Sequence, residues 1–198
     1  MKKVKYNPPL RKKYFSVQLL TSSTCFRAYL DKEIPLKVSL LVWSLLRNRI
    51  PTKDNLFQME IINNDSRLCV GGCSAVETAN LLFMECNFFS AIWCFIRQWF
   101  QFDSVHPLNI SNHFVQFDHS PCGSKLWRSI LHVIWFLCIR VIWKKRNNRN
   151  FNNKEETIQQ LLDNIKLLSF WWLKAIHVNL TLGYHNFFIF ILFICFDL

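Results

Sequence analysis

Apolar residues recur at helical spacing along most of the chain. Behind Pro35, Leu36, Leu40, Trp43 and Leu46 or Arg47 fall three or four residues apart until Pro51. That pattern predicts a helix opened by one proline and closed by another. Thr52 is placed to cap a short second helix, with Asp54 in its first turn, where the helix dipole favours an acid. The two helices form a hairpin joined at residues 49–52, and residues 63–66 read as a loop. A third helix is expected over 87–100, with Ile92, Phe95 or Ile96, and Trp99 on one face. Pro107 breaks the chain again. Residues 124–149 read as one long helix, buried in character until its basic end at Lys144, Lys145, Arg146 and Arg149, where cations suit the helix C-terminus. Glu155 and Glu156 are expected to begin a last helix carrying Ile158, Leu161, Leu162, Ile165 and Leu168 on one side.

Composition agrees with a helical chain. Half of the 198 residues are hydrophobic, and glycine occurs only 4 times, too few for most all-β folds or for phosphate-cradling loops. Charge adds a partner. The net charge of +11 favours a polyanion, either nucleic acid or an anionic membrane face. Residues 1–13 concentrate Lys2, Lys3, Lys5, Arg11, Lys12 and Lys13 around Pro8 and Pro9 and read as a flexible basic arm. Asn7, Pro8 and Pro9 stand where a secretory signal needs apolar residues, so an intracellular protein, nuclear or cytoplasmic, is expected. In a reducing compartment, closely spaced cysteines bind metal more often than they pair. Cys25, Cys94, Cys122, Cys138 and Cys195 are scattered and read as buried thiols. A membrane span is not expected. Residues 126–143 are interrupted by Arg128, His132 and Arg140, and 187–196 fall short of the ~20 residues a spanning helix needs.

The chemistry concentrates in "LCVGGCSAVETANLLFMEC", residues 68–86. Cys69 and Cys73 flank Gly71 and Gly72, which allow a tight turn that aims both thiolates at one ion, and Cys86 follows after an apolar stretch. Structural zinc takes four ligands. The candidates for the fourth are Glu77, Glu85 and a water. Catalytic groups are absent. Polymerase and ribonuclease H chemistry need clustered carboxylates for two metals, and no Asp-Asp pair occurs. His106, His113 and His119 have no nucleophile arranged with them. Trp127, Trp135 and Trp143, eight residues apart, read as core residues and not as base-stacking platforms. The cluster Lys144, Lys145, Arg146 and Arg149 reads either as a phosphate-holding group or as a solvated helix end.

Residues 38–43 (VSLLVW) and 45–56 (LLRNRIPTKDNL), then Cys69 and Cys73, Glu77-Thr78, Leu82-Phe83, Cys86 and Trp93, resemble the zinc-binding domain that follows reverse transcriptase in plant non-LTR retrotransposons. Residues 142–147 (IWKKRN), 169–174 (SFWWLK) and 14–17 (YFSV) resemble flanking parts of the same family. The resemblance implies a mainly α fold with an irregular cysteine-containing loop of zinc-ribbon or knuckle type. It divides the chain into a basic arm and partial connector at 1–30, the zinc-binding domain at 31–101 and a helical C-terminal region at 102–198. It implies zinc held by Cys69, Cys73 and Cys86. The family's histidine falls on Leu81, which cannot donate to zinc. The function implied is a non-catalytic accessory fragment of a retrotransposon polyprotein. Its expected partners are RNA or DNA, held through Lys144, Lys145, Arg146 and Arg149, with no small-molecule substrate. Two other readings stand beside it: a decayed fragment that neither binds metal nor nucleic acid and serves at most in protein interaction, and a membrane-associated basic protein.

Overall fold

A computed structural model describes residues 34–100, 109–118, 125–176 and residues 183, 184, 186 and 187. The basic arm, the 14–17 match, Pro107, His106, His119, Cys25, Cys122, Cys195 and residues 188–196 of the apolar tail lie outside the described residues. Six α-helices are seen there: α1 Leu36–Leu46, α2 Lys53–Gln58, α3 Asn87–Phe100, α4 Ile110–Asp118, α5 Lys125–Asn152 and α6 Ile158–Ile176. A 3-10 turn covers Asn64–Arg67 and a π-helical turn covers Leu81–Glu85. Among the described residues there is no strand, and the only β pairing noted is an isolated antiparallel bridge between Leu68 and Val76. The mainly α expectation therefore holds.

The hairpin of α1 and α2 is set by its turn residues. Asn48 has φ 51°, a left-handed conformation that asparagine tolerates better than most residues. There it closes α1 in a Schellman arrangement, in which the Arg49 N–H donates to the Ser44 carbonyl at 2.7 Å and the Asn48 N–H to that of Leu45 at 2.9 Å. The Thr52 hydroxyl oxygen accepts the Asn55 N–H at 3.2 Å and caps α2, as expected. Asn55 in turn donates to the Ile50 carbonyl at 2.8 Å, locking the turn to the second helix.

The long helix α5 runs through the core. Leu131, Ile134, Trp135, Leu137, Cys138, Ile139 and Ile142 are all fully buried. A helix apolar all round must be enclosed on every side, and here α1, α4 and α6 enclose it. The membrane-like stretch is therefore a central core helix. No described helix is long and apolar enough to cross a membrane. Trp127 and Trp135 are buried as expected, while Trp143 is half-buried with its ring stacked over Phe83. The Trp93 indole N–H donates to the Phe83 carbonyl at 2.6 Å, and that of Trp135 to His113 Nδ1 at 3.0 Å. His113 is thus a core residue. One hydrophobic core takes residues from both 31–101 and 102–198, so the two segments share an interior.

Two expectations need correction. α6 begins at Ile158, not at Glu155 and Glu156. Thr157 and Gln160 form a reciprocal capping box, Gln160 N–H to Thr157 Oγ1 at 3.2 Å and Thr157 N–H to Gln160 Oε1 at 2.8 Å, which fixes the start two residues later. The two acids instead pair with α5: Glu155 with Arg149 at 3.0 Å and Glu156 with Lys145 at 3.8 Å. Cys94 is exposed on the outer face of α3, whereas Cys138 is buried as expected. Helix α4 was not legible as a periodic run, yet Asn109 signals it. Its side chain accepts the Asn112 N–H at 2.8 Å as an N-cap. At the end of the described chain, Phe187 is buried against Phe170, with ring centres 5.2 Å apart, so the start of the apolar tail packs on the domain.

Candidate metal centre

The cysteine loop is a small pinned turn. The Cys69 N–H donates to the Ala75 carbonyl at 2.9 Å and the Glu77 N–H to that of Arg67 at 2.9 Å. Between them, Gly72 at φ 80° and Ser74 at φ 54° reverse the chain. Cys86 is delivered from the other side by the π-helical turn. Its N–H donates to the Leu81 carbonyl at 2.8 Å, five residues back. Such turns are frequent at functional sites. This one places residue 81 one turn before Cys86.

The sulfur donors of Cys69, Cys73 and Cys86 all lie within 4.8 Å of one another. Cys69 and Cys86 are buried, and their sulfurs are 3.8 Å apart. Two thiolates about 2.3 Å from one tetrahedral zinc would stand about 3.8 Å apart. The Gly71 N–H donates to the Cys69 sulfur at 3.3 Å. The backbone amides of Phe88 and Phe89, at the start of α3, donate to Cys86. The Cys69 thiol is placed to donate to the Cys86 sulfur, and that bond, helped by the α3 amides, lowers the Cys86 thiol to about 5, while the same contact and burial raise Cys69.

Gly71 closes the back of the cluster. A Cβ there would stand 2.3 Å from the Cys86 sulfur and 3.4 Å from that of Cys69. Gly71→Ala is expected to push Cys86 out of the cluster and to cost about 1–3 kcal/mol as overpacking. A fall in the unfolding midpoint, with loss of joint protection of the three thiols from alkylation, checks this.

The carboxylates proposed as a fourth donor are otherwise engaged. Glu77 is fully buried, and its Oε1 accepts from Arg146 Nη2 at 2.7 Å, Arg146 Nε at 3.0 Å and the Lys53 N–H at 3.1 Å. Its Oε2 accepts the Val70 N–H at 3.4 Å. Glu85 is exposed and accepts from Asn80 at 2.6 Å. Among the described residues no fourth histidine, cysteine or carboxylate joins the three cysteines. The donor set therefore fits zinc at three of its four positions. Leu81, half-buried, packs against the core.

The basic end of α5 is placed differently from what its sequence suggested. Arg146 is 2% exposed and forms the buried pair with Glu77. Lys145 is 1% exposed, and its ammonium donates to the Lys154 carbonyl at 2.9 Å. Burial lowers its pKa, as does Arg149, against the pull of Glu156 and Glu155. Arg149 donates to the Val70 carbonyl at 3.3 Å, and its guanidinium lies 4.0 Å from the centre of the Phe88 ring. Of the expected phosphate-holding group, only Lys144 is exposed. Arg146, through Glu77, and Arg149 form a clamp, while Lys145 ties α5 to the segment before α6. Val70, between two residues of the metal turn, has its N–H taken by Glu77 and its carbonyl by Arg149. Sequence reasoning missed this role because a buried arginine is legible only once its acid is found, 69 residues away.

Residues 11–93 match the family described as zinc-binding in reverse transcriptase. The match takes in all three cysteines, and it is the domain that the sequence resemblance named. No curated protein and no solved structure matches the chain.

Proposed function

We propose that the chain is a non-catalytic accessory segment of a retrotransposon reverse transcriptase, of the plant non-LTR type, which holds a metal in its cysteine loop and grips nucleic acid beside the polymerase. The observation that carries this reading is the convergence of Cys69, Cys73 and Cys86 within 4.8 Å, inside the segment that matches the reverse transcriptase family. Such a module works inside the cell, in the cytoplasm or nucleus. The grip on nucleic acid is supported by the net charge of +11 and by the exposed cations Lys37, Arg47, Arg49 and Lys144. Arg47 and Arg49 both lie over the Trp43 ring, 4.7 and 5.8 Å from its centre, a stacking that holds their guanidinium groups at the surface.

Phosphate contacts are salt-dependent and read little sequence. RNA affinity is expected to fall steeply with salt. The Arg47→Ala, Arg49→Ala double variant is expected to reduce the salt slope by about 2, one for each lost contact. Filter binding across a salt series reads this directly, and an unchanged slope removes the Trp43 corner from the interface. A decayed fragment is the second reading, favoured by Leu81 at the histidine position. Chains that retain no metal after purification in metal-buffered solution, and that bind RNA no better than an unrelated basic protein, would establish it.

A further inference from the structure

The loop departs from a closed zinc site in one respect, and the departure points to a different ion. Three sulfurs converge, Glu77 is consumed by Arg146, and residue 81 is a leucine. Where a fourth donor would complete a tetrahedron, the described residues offer no histidine, cysteine or carboxylate. The Gly71 backbone passes so close to the Cys69 and Cys86 sulfurs that even a methyl group is excluded on that side. We propose that the cluster is a three-thiolate site for a soft monovalent ion, copper(I), and not a four-coordinate zinc site. The inference rests on the reading that the cluster holds metal.

Thiolates suit both copper(I) and zinc, but three of them satisfy copper(I), whereas structural zinc requires four ligands. Three sulfurs about 2.3 Å from an ion in their own plane stand about 4.0 Å apart. Cys69 and Cys86 are at 3.8 Å, and all three sulfurs lie within 4.8 Å, so a small inward movement of the half-buried Cys73 closes the triangle. The surplus negative charge is met by N–H donors. Gly71 donates to Cys69, Phe88 and Phe89 donate to Cys86, and Cys86 immediately precedes α3, at its positive end. Loading forms three Cu–S bonds. Each thiol that still carries a proton releases it to water, and copper remains copper(I).

The test uses the full chain, reduced and free of oxygen, titrated with copper(I) and separately with zinc, each set by a competing chelator. Alkylation and mass mapping report which thiols are covered. One copper(I) per chain is expected, covering Cys69, Cys73 and Cys86 and leaving the exposed Cys94 reactive. Zinc is expected to bind weakly. Leu81→His is expected to raise zinc affinity about a hundredfold and to change copper(I) affinity little. Cys73→Ser, at the half-buried corner, is expected to lose copper(I) protection while keeping the fold. Zinc held as tightly by the parent as by Leu81→His overturns the proposal and leaves the metal-holding reading intact. Copper(I) that covers Cys94 as fully as the cluster overturns it too. If neither ion covers the cluster, both fall together.

Discussion

Arg146→Ala is expected to destabilise the fold by about 3–5 kcal/mol, because it leaves the Glu77 carboxylate buried without its cation. Both side chains are withdrawn from water, at 2% and 0% exposure, and the pair makes two hydrogen bonds at 2.7 and 3.0 Å. The loss is not confined to one bond. Glu77 also receives the first N–H of α2 and the Val70 N–H, so its displacement loosens the hairpin and the metal turn together. Urea unfolding followed by tryptophan fluorescence measures the change. Arg146→Lys keeps the charge but loses the planar fork and is expected to fall between parent and alanine. A loss below about 1 kcal/mol for Arg146→Ala, the range of an exposed pair, would show that the pair does not hold the loop. Where the variant is destabilised as expected, loss of RNA binding follows from unfolding, because the guanidinium faces the interior.

Leu81→His is expected to stabilise the protein in zinc and to destabilise it in chelator. A complete site contributes roughly 10–16 kcal/mol in small zinc peptides, so supplying the last of four donors is worth about 3 kcal/mol. Without metal, the same imidazole replaces a half-buried apolar contact with a polar group and costs about 1–3 kcal/mol. For a chain of this size each kcal/mol moves the melting temperature by about 2–4 °C. Melts of parent and variant, with zinc and with chelator, therefore separate by opposite signs. The local backbone favours the gain. Residue 81 opens the π-helical turn that ends at Cys86, its N–H is satisfied by Thr78 Oγ1 at 3.0 Å, and the substitution changes neither bond. A variant that melts lower than the parent even in zinc would mean that apolar packing of residue 81 now holds the loop and that the cysteines no longer form a zinc site.

The sequence by itself determined what depends on neighbours along the chain. The hairpin of α1 and α2 was legible because Pro35, Pro51 and Thr52 act within a few residues of where they stand, whereas the left-handed Asn48 that closes α1 was not read. The third helix was legible from one apolar face, and the long helix from its unbroken apolar run. The cysteine turn was legible because Gly71 and Gly72 lie between two thiols. Tertiary structure decided what depends on partners far apart in sequence. The apolar run of α5 suits a membrane or a core equally well, and only its enclosure by other helices distinguishes them. The same holds for Lys145, Arg146 and Arg149. A basic helix end looks solvent-facing when its acids are unseen, and those acids are Glu77, brought in by the metal turn, and Glu155 and Glu156, which the capping box at Thr157 leaves free to face α5. A charge is buried only where the fold supplies its counter-charge, because desolvation would otherwise cost several kcal/mol, and that pairing is set by packing and not by sequence spacing.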